Sequence, residues 1–253
     1  MTDLSSRAVL VTGASSGLGA CFARAAARAG AAVALAARRA DRLKDLQAEI
    51  AAEGGRAIPI EMDVADEASV SAGFDSAQAA LGPVNSVVAN AGLNVPSSAL
   101  GLPITEFDKL MDVNLRGVFI TAREAAKRMI ANGSPTSGDG RIVLVGSVGS
   151  HRVLDRLVAY NTSKAAVLMM GKALAKEWAL KGISVNTVCP GWIATELNSE
   201  WLASPAGRAL IASFPRKRAM QAEDLLPIVM LLLSDAARTI TGGAFELDDG
   251  QSL

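Results

Sequence analysis

Seven short apolar runs recur along the chain, and each is separated from the next by a longer stretch with helical spacing. The runs cover residues 7–12, 32–37, 56–61, 84–89, 141–146, 183–189 and 244–247. Several are apolar at nearly every position, the pattern of parallel strands covered on both faces. The intervening helical segments are residues 18–29, 41–53, 67–80, 105–131, 160–181 and 223–234. Regular alternation of this kind predicts an α/β fold, a doubly wound parallel sheet of about seven strands with helices on both faces. Gly30 and Gly82-Pro83 fall where helices should stop. Residues 134–140 read as a surface loop, and Pro227 lies near enough to a helix start to remove only one backbone bond.

No proline- or serine-rich linker divides the 253 residues, so one domain spanning 1–253 is expected. Half of the residues are hydrophobic, enough to exclude a disordered chain. The 25 basic side chains are balanced by 25 acidic ones, which leaves no field to draw in nucleic acid or a membrane surface. The longest apolar stretch, residues 225–233, is far shorter than the ~18–20 residues a bilayer requires. Residues 1–6 lack a signal-peptide pattern, and Cys21 and Cys189 lack metal-ligand spacing, so a cytoplasmic protein without a metal is expected. The chain has one histidine, His151, and one tyrosine, Tyr160. That scarcity narrows the chemistry available to it.

The first strand runs into Thr12-Gly13-Ala14-Ser15-Ser16-Gly17-Leu18-Gly19, and a helix follows. Glycines there allow a sharp turn and close approach of backbone to a phosphate, while the helix start offers free N–H groups and the positive end of its dipole. A Rossmann-like dinucleotide fold is the reading that follows, although a glycine-rich turn that binds nothing has the same letters. Gly13-Ala14-Ser15-Ser16-Gly17 also matches the nucleophile elbow of hydrolases, but a hydrolase of that type needs its histidine late in the chain, and His151 is central. After the second strand come Arg38 and Arg39, where an NAD site would carry an acidic residue. Two cations before a helix start favour an anion between them, hence NADP(H) over NAD(H); a pair of solvated arginines is the alternative.

Tyr160 and Lys164 stand four apart at the start of a long helix, which puts phenol and ammonium on one face. A nearby cation lowers a phenol's pKa from ~10 by about 1–3 units, towards the range useful for proton transfer. Ser147 ends the fifth strand at the tip facing the crevice where α/β folds bind ligands, and its hydroxyl could hold a carbonyl oxygen.

Together, TGASSGLG at 12–19, Ser147 and YNTSK at 160–164 resemble the short-chain dehydrogenase/reductase family. Asp63-Val64, Asn90-Ala91-Gly92, Asn114 and Pro190-Gly191 extend the likeness in order along nearly the whole chain. The resemblance implies an oxidoreductase moving a hydride between NADP(H) and a ketone or secondary alcohol. It implies Tyr160 as acid/base, Ser147 polarising the substrate oxygen, Lys164 tuning the phenol and holding the nicotinamide ribose, and Asn114 holding a water in the proton path. It assigns phosphate contacts to Gly13, Ser15, Ser16, Gly17, Leu18 and Gly19, 2′-phosphate contacts to Arg38 and Arg39, and adenine contacts to Asp63 and Val64. Asn90, Ala91, Gly92, Pro190 and Gly191 would complete the cofactor cleft, with Ile193 and Thr195 on the carboxamide. Ala89 and Gly146 depart from the family's common Asn and Ser, which puts one strand-end hydrogen bond in doubt.

Residues 192–216 stand where the family carries its substrate lid. Trp192, Leu197, Trp201, Leu202, Leu210, Ile211 and Phe214 could form an apolar wall facing Val148, Val153 and Leu154, favouring an apolar substrate; packing within the lid is the alternative. His151 reads as a solvated loop residue. The 160–181 helix is apolar around much of its girth, which predicts burial on more than one side and a homo-oligomer; in the family such helices pair between subunits, usually in tetramers. A non-catalytic dinucleotide-binding module on the same fold is the competing function.

Overall fold

A computed structural model describes residues 2–194 and 199–253. The chain alternates strand and helix from β1 (Ala8–Thr12), α1 (Gly17–Arg28), β2 (Ala32–Ala37) and α2 (Ala40–Ala52) to β3 (Arg56–Glu61), α3 (Glu67–Leu81) and β4 (Ser86–Ala89). Then follow α4 (Ile104–Met111), a π turn at Asp112–Arg116, α5 (Gly117–Ala131), the one-turn α6 (Ser134–Ser137) and β5 (Gly140–Val145). The last third holds α7 (Val158–Trp178), β6 (Ile183–Pro190), α8 (Ser199–Ala203), α9 (Pro205–Ser213), α10 (Leu226–Leu233) and β7 (Ala244–Leu247). The strands form one sheet in the order β3-β2-β1-β4-β5-β6-β7, with every pair parallel.

Both faces of the sheet are covered, which explains the unbroken apolar runs. Val9 and Val11 face a core built with Phe22 of α1, Leu43 and Leu46 of α2 and Val229 of α10. Leu10 between them faces the opposite core, with Phe74 of α3, Ile120 and Met129 of α5 and Val167 and Trp178 of α7. Strand order reverses between β1 and β4, and at that switch point the C-terminal strand tips open a crevice.

Two readings of the sequence are corrected. The single helix expected at 105–131 carries a π turn at Asp112–Arg116, an insertion of one residue that leaves hydrogen bonds locally out of α register. Residues 134–140 are not wholly a surface loop. Ser134 is buried, starts α6 and donates its hydroxyl to the Lys181 carbonyl at 2.7 Å. Pro227 stands in the first turn of α10, near the helix start as expected, but there its missing N–H has no intrahelical partner to lose, so not even the one bond expected is removed.

Candidate active site

The glycine-rich turn after β1 is shaped by backbone requirements. Gly13 and Gly17 adopt φ of +68° and +52°, which only glycine enters without strain. A methyl group on Gly19 would sit 2.7 Å from Asn90 Nδ2 and tighter still against the Gly13 carbonyl, so Gly19 lets α1 approach the turn and does not itself line the cleft. No side chain caps α1 and no acidic residue occupies its first turn, so the positive helix end faces the crevice uncompensated. Thr12, at the β1 tip, accepts from the N–H groups of Asn90 and Ala91 at 2.9 and 3.0 Å through its hydroxyl. Asn90 Nδ2 donates in return to the Thr12 carbonyl at 2.9 Å. These bonds lock the β1 and β4 tips together, and the substitution at Ala89 leaves them intact.

Arg39 folds back over the turn. Its guanidinium donates to Ser15 Oγ at 2.9 Å and to Ser16 Oγ at 2.8 Å, while Arg38 points into the same rim. The Ser15 hydroxyl is therefore engaged by a guanidinium, and His151 stands apart with Nε2 3.6 Å from Glu246. Nothing here supports a hydrolase elbow. Asp63 accepts from the Ala65 N–H through its carboxylate, and it and Val64 line the cleft below the arginines.

The chemistry-bearing end is assembled by β5 and α7. Ser147 follows β5, and its Oγ accepts from the Gly149 N–H at 3.0 Å. Ser150 accepts from the Ser147 N–H and donates to the Lys164 carbonyl at 2.9 Å, tying the serine turn to α7. Sequence reasoning missed Ser150 and Thr12. The first was legible as the S-x-x-S spacing of a capping box, the second as a hydroxyl at a strand tip. Lys164 is buried and donates to the Val145 carbonyl at 2.8 Å, with Nζ 5.7 Å from the Tyr160 ring centre. Burial pushes this ammonium down to about 8. The phenol of Tyr160 is not lowered, contrary to expectation. Burial raises it, and the hydrogen bond with Ser147 offsets part of that rise. Asn114 is fully buried in the π turn, with Oδ1 accepting from the Leu93 N–H and Nδ2 donating to the Leu93 carbonyl, each at 2.8 Å. It clasps the segment after β4 from beneath and does not line the cleft.

A single cavity of about 740 Å³ joins the two ends. Gly92, Ala91 and Pro190-Gly191 form its middle, with Ile193 on one wall. Val148, Leu154 and Trp192 line the end of the cavity beside Ser147, joined by Leu93, Pro96 and Leu157, which sequence reasoning did not single out. Val153 is 87% exposed and outside the cavity, because it stands at the crest of the loop after Ser147. Trp201 also lies outside the lining and stacks on Trp192 with ring centres 5.2 Å apart. Leu202 and Phe214 are buried in the segment that follows Trp192, as the packing alternative has it; Thr195 and Leu197 lie outside the described residues. The cavity is large enough for a drug-sized or larger ligand. Its uncapped helix end, close-approach glycines and basic rim fit a dinucleotide phosphate. No cluster of His, Cys, Asp and Glu suited to a metal is present among the described residues, and none of their helices is long and apolar enough to cross a membrane.

The short chain dehydrogenase family profile matches residues 7–206. D-threitol dehydrogenase of Mycolicibacterium smegmatis is 34% identical over 99% of this chain and 94% of its own length. An NAD-dependent glycerol dehydrogenase of Listeria innocua is 32% identical over 99% and 96%. Among solved structures, a gluconate 5-dehydrogenase from Burkholderia cenocepacia in complex with NADP and tartrate superposes with a TM-score of 0.93 at 32% identity, covering 99% of this chain and 97% of that one.

Proposed function

Since this chain belongs to the short-chain dehydrogenase family and is an NAD(P)-dependent oxidoreductase of CH–OH and C=O groups, we propose that it reduces an apolar ketone with NADPH, Tyr160 acting as the general acid. The observation that carries this reading is the convergence of Ser147, Tyr160 and Lys164 at the apolar end of a cleft whose other end is basic.

In the reductive direction Tyr160 Oη gives its proton to the carbonyl oxygen, forming the alcohol O–H as the carbon accepts a hydride. A dinucleotide held by the glycine turn and the cleft's middle would supply that hydride. The raised phenol pKa keeps Tyr160 protonated at neutral pH, which suits a donor better than a base. Lys164, protonated below about pH 8, is placed to offset the negative charge left on the phenolate. Ser147 holds the substrate oxygen in line. Asn114 acts through Leu93, fixing the segment that faces Lys164 across Gly92. We assign the phosphates to the turn 13–19, the 2′-phosphate to Arg38 and Arg39, and the adenine to Asp63 and Val64. Asn90, Ala91, Gly92, Pro190, Gly191 and Ile193 fall to the cofactor's middle and nicotinamide end. Replacing the hydrogen bonds Arg39 now makes to Ser15 and Ser16 with bonds to a phosphate would exchange neutral acceptors for a charged one, which are about twice as strong.

Leu93, Pro96, Val148, Leu154, Leu157 and Trp192 at the substrate end favour apolar contact over the several hydrogen bonds a sugar requires. The threitol, glycerol and gluconate enzymes among the relatives favour a polyol as the second reading. The whole chain would act as one catalytic domain with 192–216 as its lid. Phe119, Val158 and Met169 stand exposed on α5 and α7 in the isolated chain, which supports a homo-oligomer. A panel of apolar ketones and polyols, followed by nicotinamide absorbance with each cofactor, tests the reading. Faster turnover of ketones with NADPH is expected. Preference for polyols with NAD would overturn it.

A further inference from the structure

The turn that follows β7 ties the loop after Ser147 to both ends of the 192–216 segment, although it lines none of the cavity. Gln251 is buried, and its Oε1 accepts from the Trp192 N–H at 2.6 Å while Nε2 reaches back to the Trp192 carbonyl at 3.4 Å. A methyl group on Gly191 would fall 2.5 Å from that same Oε1, so the glycine exists in part to admit the amide. Gln251's own carbonyl accepts from Arg152, two residues beyond Ser150. Asp249 pairs with Arg216 at 3.2 Å and with Arg218 at 2.7 Å, where the lid returns to the fold. Asp248 holds the turn itself, its carboxylate accepting from the N–H groups of Gly250 and Ser252 at 3.0 and 2.8 Å. The lid's entry, its exit and the loop after Ser147 thus meet at four consecutive residues.

We propose that Gln251 is a positioning residue for substrate specificity: it fixes the main chain of Trp192, and through the stacked Trp192–Trp201 pair the apolar wall against which the substrate carbonyl is presented. Asp249 holds Arg216 and Arg218, where the 199–213 segment rejoins the fold. Substrate fit should then depend on a side chain that never touches substrate, while NADPH binding, whose assigned phosphate and adenine contacts lie around β1, β3 and α1 away from Trp192, should change far less. The substrate part of this proposal rests on the oxidoreductase reading above.

The test compares the full-length parent with Gln251→Ala and Gln251→Glu, using NADPH with cyclohexanone and acetophenone as probes. A lost main-chain hydrogen bond of ordinary strength predicts that Gln251→Ala raises KM about fivefold, with kcat and the NADPH Kd within twofold. Gln251→Glu, which keeps the acceptor for the Trp192 N–H, should recover most of the loss. Near-ultraviolet circular dichroism should show the Trp192–Trp201 coupling signal weakened in the Ala variant and restored in the Glu variant. A merely structural role would lower the melting temperature of Gln251→Ala and leave KM and the tryptophan signal at parental values. That outcome overturns the proposal. Absence of turnover by the parent would defeat the functional reading alone, and the tryptophan signal would still decide whether the clasp positions Trp192.

Discussion

The two ends of the cleft are built from different materials. The dinucleotide end is backbone: a glycine turn, an uncapped helix start and two strand tips bonded through Thr12 and Asn90. The end proposed for the substrate is lined by segments distant in sequence, with the turn after β7 clasping Trp192 from outside the lining and the stretch 93–97 standing beside the loop after Ser147. Ser97 is joined to that loop by its N–H, which donates to the Arg156 carbonyl at 2.9 Å. An end fixed by the sheet tolerates little change and can serve many relatives. An end fixed by converging loops can be retuned without disturbing the sheet.

The sharpest break of that contrast is Tyr160→Phe, which leaves both ends in shape and removes one hydroxyl. Turnover should fall roughly 10²–10⁴-fold with the NADPH Kd nearly unchanged, measured by steady-state rates and fluorescence titration. Turnover within tenfold of the parent would end the acid role. Next in size is Ala37→Asp combined with Arg38→Ser, which should cut the NADP-over-NAD ratio of kcat/KM by roughly 10–100-fold, since hydrogen bonds to charged groups contribute about 1.5–3 kcal/mol each. An unmoved ratio would mean the arginines do not read the cofactor.

Gly19→Ala and Gly17→Ala probe the backbone end from two sides. The first drives a methyl into the Gly13 carbonyl and Asn90 and should cost about 1–3 kcal/mol or more in urea unfolding. The second meets nothing within 4 Å and bears only the strain of its positive φ, so its cost should be smaller. Equal costs would show that the turn is not held as tightly as its contacts imply.

The smallest effect concerns Lys164. Its pKa is about 8 when folded and 10.5 in the free side chain, so the unfolded chain binds more protons between these values. Stability of the cofactor-free protein should therefore rise with pH from 8 towards 9, by at most about 1.4 kcal/mol per unit. Above pH 9 the thiols work the other way, because Cys21 is raised to about 11 and Cys189 is raised as well. Urea unfolding of the parent and of Lys164→Met at pH 8 and 9 isolates the rise, which the variant should lack.

The glycine turn and the reactive trio were readable in the sequence because local spacing dictates them: the glycines, the strand-tip serine and the Tyr160–Lys164 pair each sit within one element or one turn. The seven parallel strands were legible for the same reason, their two-sided burial being written as continuous apolar runs. What escaped notice depends on contacts across long separations. Nothing near Gln251 announces that it meets Trp192, and nothing near Leu93 announces Asn114. The direction of the Tyr160 shift was also misread, because spacing reveals the cation near the phenol but not the burial that raises the phenol and lowers Lys164 itself.

The π turn beneath the cleft has a consequence for the helix that contains it. Deleting a single residue from Asp112–Arg116 would restore an ordinary helical repeat from Ile104 to Ala131. Everything on one side of the cut would then swing by roughly 100° about the axis and slide by about 1.5 Å. Asn114 could keep its grip on Leu93 only if the apolar stripe of α5 turned away from β4 and β5. The irregularity lets one rod face two masters, the sheet with one half and the cleft with the other.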